Sequence, residues 1–74
     1  MSKAFEMVPV TSSSLSAVGH DAGADELHVE FKTGVRYVYS GVSAEKHAAL
    51  ISADSVGKHF ASNIRTRYPA RKHG

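Results

Sequence analysis

Leu27, Val29 and Phe31 alternate with His28, Glu30 and Lys32, and after a short gap Val35, Tyr37 and Tyr39 resume the same alternation. Period-two patterning of this kind marks half-buried strands. Two such strands so close in sequence require a hairpin, and the turn sets its register. A loop made of Lys32, Thr33 and Gly34 puts glycine where such hairpins need a left-handed residue. Phe31 then faces Val35, Val29 faces Tyr37 and Leu27 faces Tyr39, with all of them on one face of the sheet. A two-residue loop would instead set Glu30 beside Tyr37 and Phe31 beside Arg36, mixing charge into the apolar face. Because a one-residue slip exchanges faces, the longer loop is the expected one.

The rest of the chain supplies what must cover that face. Met7-Val8-Pro9-Val10 reads as an edge strand or an extended lead-in, since proline has no N–H for a ladder. The polar run Thr11-Ser12-Ser13-Ser14 reads as a turn, residues 15–20 as a strand of poor alternation, and residues 21–25 as a connection. Ser43 is placed to cap a helix running to about residue 53, with Glu45 in its first turn and Leu50 and Ile51 as its core residues. Asp54 or Ser55 starts a second helix, on which Val56, Phe60 and Ile64 form one apolar stripe. Lys58, Ser62 and Arg65 fall on its opposite side, and Pro69 ends any helical extension. The expected fold class is α+β: a small antiparallel sheet of three or four strands, a meander with a central hairpin, covered on one face by two short C-terminal helices. The chain reads as a single domain over residues 1–74, with a core at about 7–69 and a flexible basic tail at 70–74.

With 74 residues, the chain buries only about 60–65% of its unfolded surface, which leaves room for one small core and none for a deep enclosed pocket. It has no cysteine, and a small secreted domain would ordinarily need disulfides, so a reducing compartment is expected. The first residues lack the apolar run of a signal peptide, and no stretch approaches the ~20 apolar residues that cross a bilayer. The expectation is a cytoplasmic protein with no membrane partner. Pro9 near one sheet edge weighs against strand-edge pairing, so a monomer is expected.

The charge is distributed unevenly. Residues 1–54 carry Lys3, Lys32, Arg36 and Lys46 against seven acids, a net −3. Residues 55–74 carry Lys58, Arg65, Arg67, Arg71 and Lys72 and no acid, a net +5. Charge gathered at one end makes a local field suited to a polyanionic partner. Gly57 and Lys58 are poor choices for helix stability in a first turn, but they suit an anion resting on exposed N–H groups. The plainer reading is that Gly57 permits close packing and Lys58 is solvated. Arginine bonds phosphate through its planar fork and tyrosine stacks bases, so Arg65, Arg67, Tyr68, Arg71 and Lys72 form a candidate nucleic-acid surface. The plainer alternative is a helix C-terminus stabilised by Arg65 and a tail kept soluble by the rest. Tyr37 and Tyr39 invite a stacking role as well, although the hairpin register turns both toward the core.

Catalysis is not expected. His20, His28, His47, His59 and His73 are scattered without metal-ligand spacing. No glycine elbow selects a serine nucleophile. A phosphate loop around Gly57-Lys58 fails, because Ser52 stands in place of its first glycine and His59 in place of its Ser/Thr. No cofactor or metal is implied.

Taken in order, Val8-Pro9-Val10, Ser12-Ser13, Val18-Gly19-His20-Asp21, Leu27-His28-Val29-Glu30-Phe31 with Gly34, Tyr37-Val38-Tyr39, Gly41-Val42, Ala53-Asp54-Ser55-Val56-Gly57-Lys58-His59-Phe60 and Ile64-Arg65-Thr66-Arg67-Tyr68 resemble the KTSC domain. That family is named for the C-terminal extension of some lysyl-tRNA synthetases and also occurs as stand-alone small bacterial and phage proteins. The resemblance spans about residues 7–71 and implies RNA binding as a suggested role, with no catalytic residues. His20 stands where a tyrosine is usual, and Ser43 and Asp54 stand where prolines are common. The expected function is nucleic-acid binding, RNA ahead of DNA, with phosphates on Lys58, Arg65, Arg67, Arg71 and Lys72 and bases on Tyr68 and Tyr39. The alternative is a protein-interaction module, such as a phage would encode, docking on an acidic patch of a host protein.

Overall fold

The computed structural model describes residues 5–73. The first four residues, among them Lys3 and most of the stretch read for a signal peptide, lie outside it, as does Gly74 of the expected tail. The elements in chain order are β1 (Val8–Pro9), β2 (Leu15–Asp21), β3 (Glu26–Phe31), β4 (Arg36–Ser40), α1 (Ala44–Ile51), α2 (Val56–Asn63) and β5 (Ala70–His73). The strands form one antiparallel sheet in the order β1-β2-β3-β4-β5.

The central hairpin follows from its alternation. Leu27 pairs with Tyr39 and Val29 with Tyr37. The Phe31 N–H donates to the Val35 carbonyl at 2.9 Å, and Gly34 closes the loop at φ +94° with its N–H on the Phe31 carbonyl. In β2 the alternation looks poor because the strand is bulged between Leu15 and Ala17. The extra residue shifts the parity, so Leu15 lies opposite Phe31, Val18 opposite Val29 and His20 opposite Leu27, all facing the same way. The β2–β3 connection is held by an Asx turn, in which the Asp21 carboxylate accepts from the Gly23 N–H. The Asp25 carbonyl, at φ +52°, accepts from both Gly41 and Val42 and so ties this connection to the end of β4.

One core joins sheet and helices. Leu15, Val18, Leu27, Val29 and Tyr39 are buried with Val42, Leu50, Val56, Phe60 and Ile64. The Phe60 ring meets Phe31 and Tyr39 edge-on, with centroids 5.7 and 5.3 Å apart. Ser43 and Ser55 cap the two helices, their hydroxyls accepting from the Lys46 and Lys58 N–H groups.

Three expectations are corrected. Among the described residues the sheet has five strands rather than three or four. The residues taken for a flexible tail form β5, which pairs Arg36 with His73, Tyr37 with Lys72, Val38 with Arg71 and Tyr39 with Ala70. The strand Ala-Arg-Lys-His has no apolar period to announce it; backbone bonds to the otherwise open edge of β4 define it. Ile51 is 46% exposed, because α1 ends there and a 100° step separates it from buried Leu50.

The sheet's second face is covered in part by the N-terminal segment. A Cβ on Gly19 would come within 2.8 Å of the Met7 sulfur and of the Phe5 ring, and 2.9 Å from the Glu6 carbonyl oxygen. The Phe5 ring lies 4.6 Å from that of His28. His28 and Val38 are therefore buried although they point away from the helices. Among the described residues no helix is long and apolar enough to cross a membrane.

Candidate functional site

Helix α2 exposes its charge and buries its stripe, so its two flanks decide what gathers around it. His59 and Asn63 lie on the flank toward α1. With Lys46 of α1 and with Arg67 and Tyr68 they line a groove of about 240 Å³ between the helices. None of the residues lining this groove is acidic. The tight turn that follows α2 brings Arg67 and Tyr68 there: the Arg65 N–H donates to Phe60, and those of Arg67 and Tyr68 donate to Ile64. Buried Ile64 anchors the turn, and half-buried Tyr68 packs against the core. The groove thus pairs two permanent cations with an aromatic wall, a combination suited to phosphate and an unpaired base.

On the opposite flank Gly57 touches the turn before β2. A Cβ at Gly57 would come 2.8 Å from the Ser12 hydroxyl oxygen and 3.4 Å from that of Ser14. The Ser12 hydroxyl is fixed by accepting from the Ser14 and Leu15 N–H groups, both at 3.2 Å. Close packing accounts for the glycine, and the Lys58 N–H already bonds the Ser55 hydroxyl at 3.3 Å. Lys58 itself is exposed on the first turn, and Arg65 is exposed just beyond the helix.

The C-terminal cations divide between the two faces of the sheet. Lys72, opposite Tyr37, shares the helix-bearing face. Arg71, opposite Val38, lies on the other face, where its guanidinium donates to the Glu26 carboxylate at 3.1 Å and to the Ser40 hydroxyl at 3.5 Å. Tyr39 is 4% exposed and cannot stack a base. Burial pushes its hydroxyl pKa up, against the opposing pull of the nearby Arg65 charge.

Of the sequence-derived site residues, the structure brings Arg67 and Tyr68 together and adds Lys46, His59 and Asn63. It leaves Lys58, Arg65 and Lys72 exposed on the same side, sends Arg71 to the far face and buries Tyr39. Lys46 and His59 carry no local signal; only the packing of α1 against α2 makes them neighbours.

The histidines do other work. His20 is buried, and its Nε2–H donates to the Val42 carbonyl at 2.6 Å. Its ring stacks on His47, with centroids 5.2 Å apart and planes 12° from parallel. Burial, with the neighbouring His20 adding to it, lowers the His47 pKa, and His47 Nε2 is buried without a partner. His28 is lowered by burial, with Glu26 pulling the other way. Among the described residues no group of three His, Asp or Glu side chains is arranged to hold a metal.

Residues 11–68 match the family model described as the KTSC domain. A protein of Stutzerimonas stutzeri is 45% identical over 56 residues, covering 76% of this chain and 79% of its own. A protein of Tsukamurella paurometabola is 33% identical over 64 residues, covering 86% and 96%. The crystal structure of a KTSC domain protein from Yersinia pestis superposes with a TM-score of 0.91 at 32% identity, over 96% of this chain and all of that one.

Proposed function

The chain belongs to the KTSC domain family, and from that premise we propose that it is a small nucleic-acid-binding module, RNA ahead of DNA, gripping phosphates on the side that bears α2. The observation that carries this reading is the inter-helix groove, where Lys46 and Arg67 flank Tyr68 and no acid lines the wall. Lys58, Arg65 and Lys72 extend the same charge outward. Guanidinium and ammonium groups neutralise phosphates, Tyr68 stacks a base, and His59 and Asn63 supply hydrogen bonds. A groove of about 240 Å³ suits an unpaired nucleotide. The cysteine-free composition supports a reducing compartment, the cytoplasm, as the place of this activity, and Pro9 at the sheet edge supports a monomer.

The test is a titration of labelled single-stranded RNA, an RNA hairpin and duplex DNA at two salt concentrations. We expect single strands to bind best, with affinity falling steeply as salt rises. Lys46→Ala and Arg67→Ala should each flatten the salt dependence, by about 0.7 in slope if one phosphate contact is lost. Absence of binding at low salt, or binding indifferent to salt, ends the proposal. Capture of an acidic host protein that survives nuclease, without RNA binding, would replace it with a protein-docking role.

A further inference from the structure

A second hollow opens on the other flank of α2, at the tip of the β3–β4 hairpin. It measures about 470 Å³, is walled by Phe31, Val35 and Tyr37, and is edged by Lys32, Thr33 and Ser14. The Phe31 and Tyr37 rings meet edge-on, with centroids 5.8 Å apart and planes at 77°. The Phe31 ring is further held edge-on against Phe60, which leaves Phe31 little freedom to turn. A half-exposed aromatic wall that is fixed before any ligand arrives loses little entropy on binding. Lys72 stands directly opposite Tyr37 on β5, on the same face. Lys32 stands at the rim on the hairpin loop, Lys72 stands on the neighbouring strand beside Tyr37, and no residue lining the hollow is acidic.

From this arrangement we infer that the Phe31–Tyr37 hollow holds one unpaired nucleobase, with Lys32 and Lys72 on the phosphates either side of it. The inference rests on the proposed nucleic-acid function and gives it a second subsite. Helix α2 stands between the two hollows: its His59 and Asn63 face one, and its Gly57 meets the Ser12–Ser14 turn that borders the other. Lys58 and Arg65 are exposed on the helix side between them. A single strand crossing α2 would keep its backbone on these cations and drop a base into a hollow on each flank. The base is the favoured occupant because it is flat, apolar on its faces and joined to anionic groups, which matches an aromatic wall with a cationic rim. The hydroxyls of Ser14 and Thr33 both donate and accept, so they meet the edge of any base without selecting one.

The experiment compares a short oligouridylate with a ribose-phosphate chain of equal length that lacks bases, both at low salt. The wild-type protein should bind the base-free chain about a hundred-fold more weakly, about ten-fold for each of the two stacked bases. Tyr37→Leu keeps the hollow apolar and should remove about ten-fold of the oligouridylate affinity, the share of one base, while leaving base-free binding unchanged. Amide resonances of Phe31, Thr33 and Tyr37 should shift with oligouridylate and not with the base-free chain. Equal affinity for the two chains overturns the inference and leaves phosphate binding standing. A base effect abolished by Tyr68→Leu and untouched by Tyr37→Leu places the base between the helices and also overturns it. Failure of both chains to bind overturns the inference together with the function it rests on.

Discussion

Arg71 reaches across β4 to Glu26, its guanidinium 3.1 Å from the carboxylate, and so pins the last strand to the third on the face away from the helices. A cation that looked like part of a loose tail is thereby spent on the sheet. Its neighbour Lys72 points the other way, toward the proposed binding side. Lys72→Ala should weaken RNA binding and lower the salt slope, whereas Arg71→Ala should change binding less than two-fold. Because the Arg71 side chain is 59% exposed, losing the pair should cost under about 1 kcal/mol of stability. Salt-dependent RNA titration and urea unfolding of the two variants check this. Equal losses of affinity would mean that the strand is not held as described.

Stability should fall as the solution is acidified through the His47 and His28 titrations. Both pKa values are lowered, chiefly by burial. The unfolded chain, with histidines near 6.5, binds protons before the folded one does. The stabilisation is complete above that value and is lost as pH falls below it toward the lowered folded values, where the dependence levels off. His47→Phe keeps a ring against His20 and removes the unpartnered buried Nε2. It should flatten the melting temperature between pH 7 and pH 5 and stabilise the protein by about 1 kcal/mol. Thermal melts across that range decide the matter, and an unchanged pH profile would count against His47.

Gly57→Ala separates propensity from packing. Alanine in a helix gains up to about 1 kcal/mol over glycine. Here its Cβ would sit 2.8 Å from the Ser12 hydroxyl oxygen, which is held by bonds to the Ser14 and Leu15 N–H groups. We expect a net loss of about 1 kcal/mol, because overpacking outweighs propensity. In a Ser12→Gly background, where that oxygen is gone, the same substitution should cost measurably less. Chemical denaturation of the double-mutant cycle reads the difference.

Tyr39 and Tyr68 should part company in binding assays. Tyr39 is buried against Phe60, so Tyr39→Phe should leave RNA affinity unchanged. Tyr68→Leu should lower affinity about ten-fold, as expected for one lost stacking partner. A loss of affinity in Tyr39→Phe without a loss of stability would contradict the burial described.

The central hairpin, its register, the two helix caps and the stripe Val56, Phe60 and Ile64 were legible in the sequence. Each rests on neighbours within a few residues: alternation, a glycine at a left-handed position, a serine before a helix. Residues 15–20 were hard to read because a bulge after Leu15 breaks the period that would have announced the strand. Ile51 falls outside the core because α1 ends there, and an apolar side chain does not reveal on which side of a short helix it falls. The site divides along the same line. Charge composition pointed to the C-terminal cations, but the sequence could not say which face of a strand each would occupy. That depends on β5 pairing with β4, a contact between segments some thirty residues apart in the chain. The grouping of Lys46 and His59 with Arg67 and Tyr68 likewise exists only once α1 packs beside α2. Local pattern determined the elements and the sign of the charge. Tertiary packing decided which charges meet, because the meeting is fixed by burial of a shared core and leaves no period in the sequence.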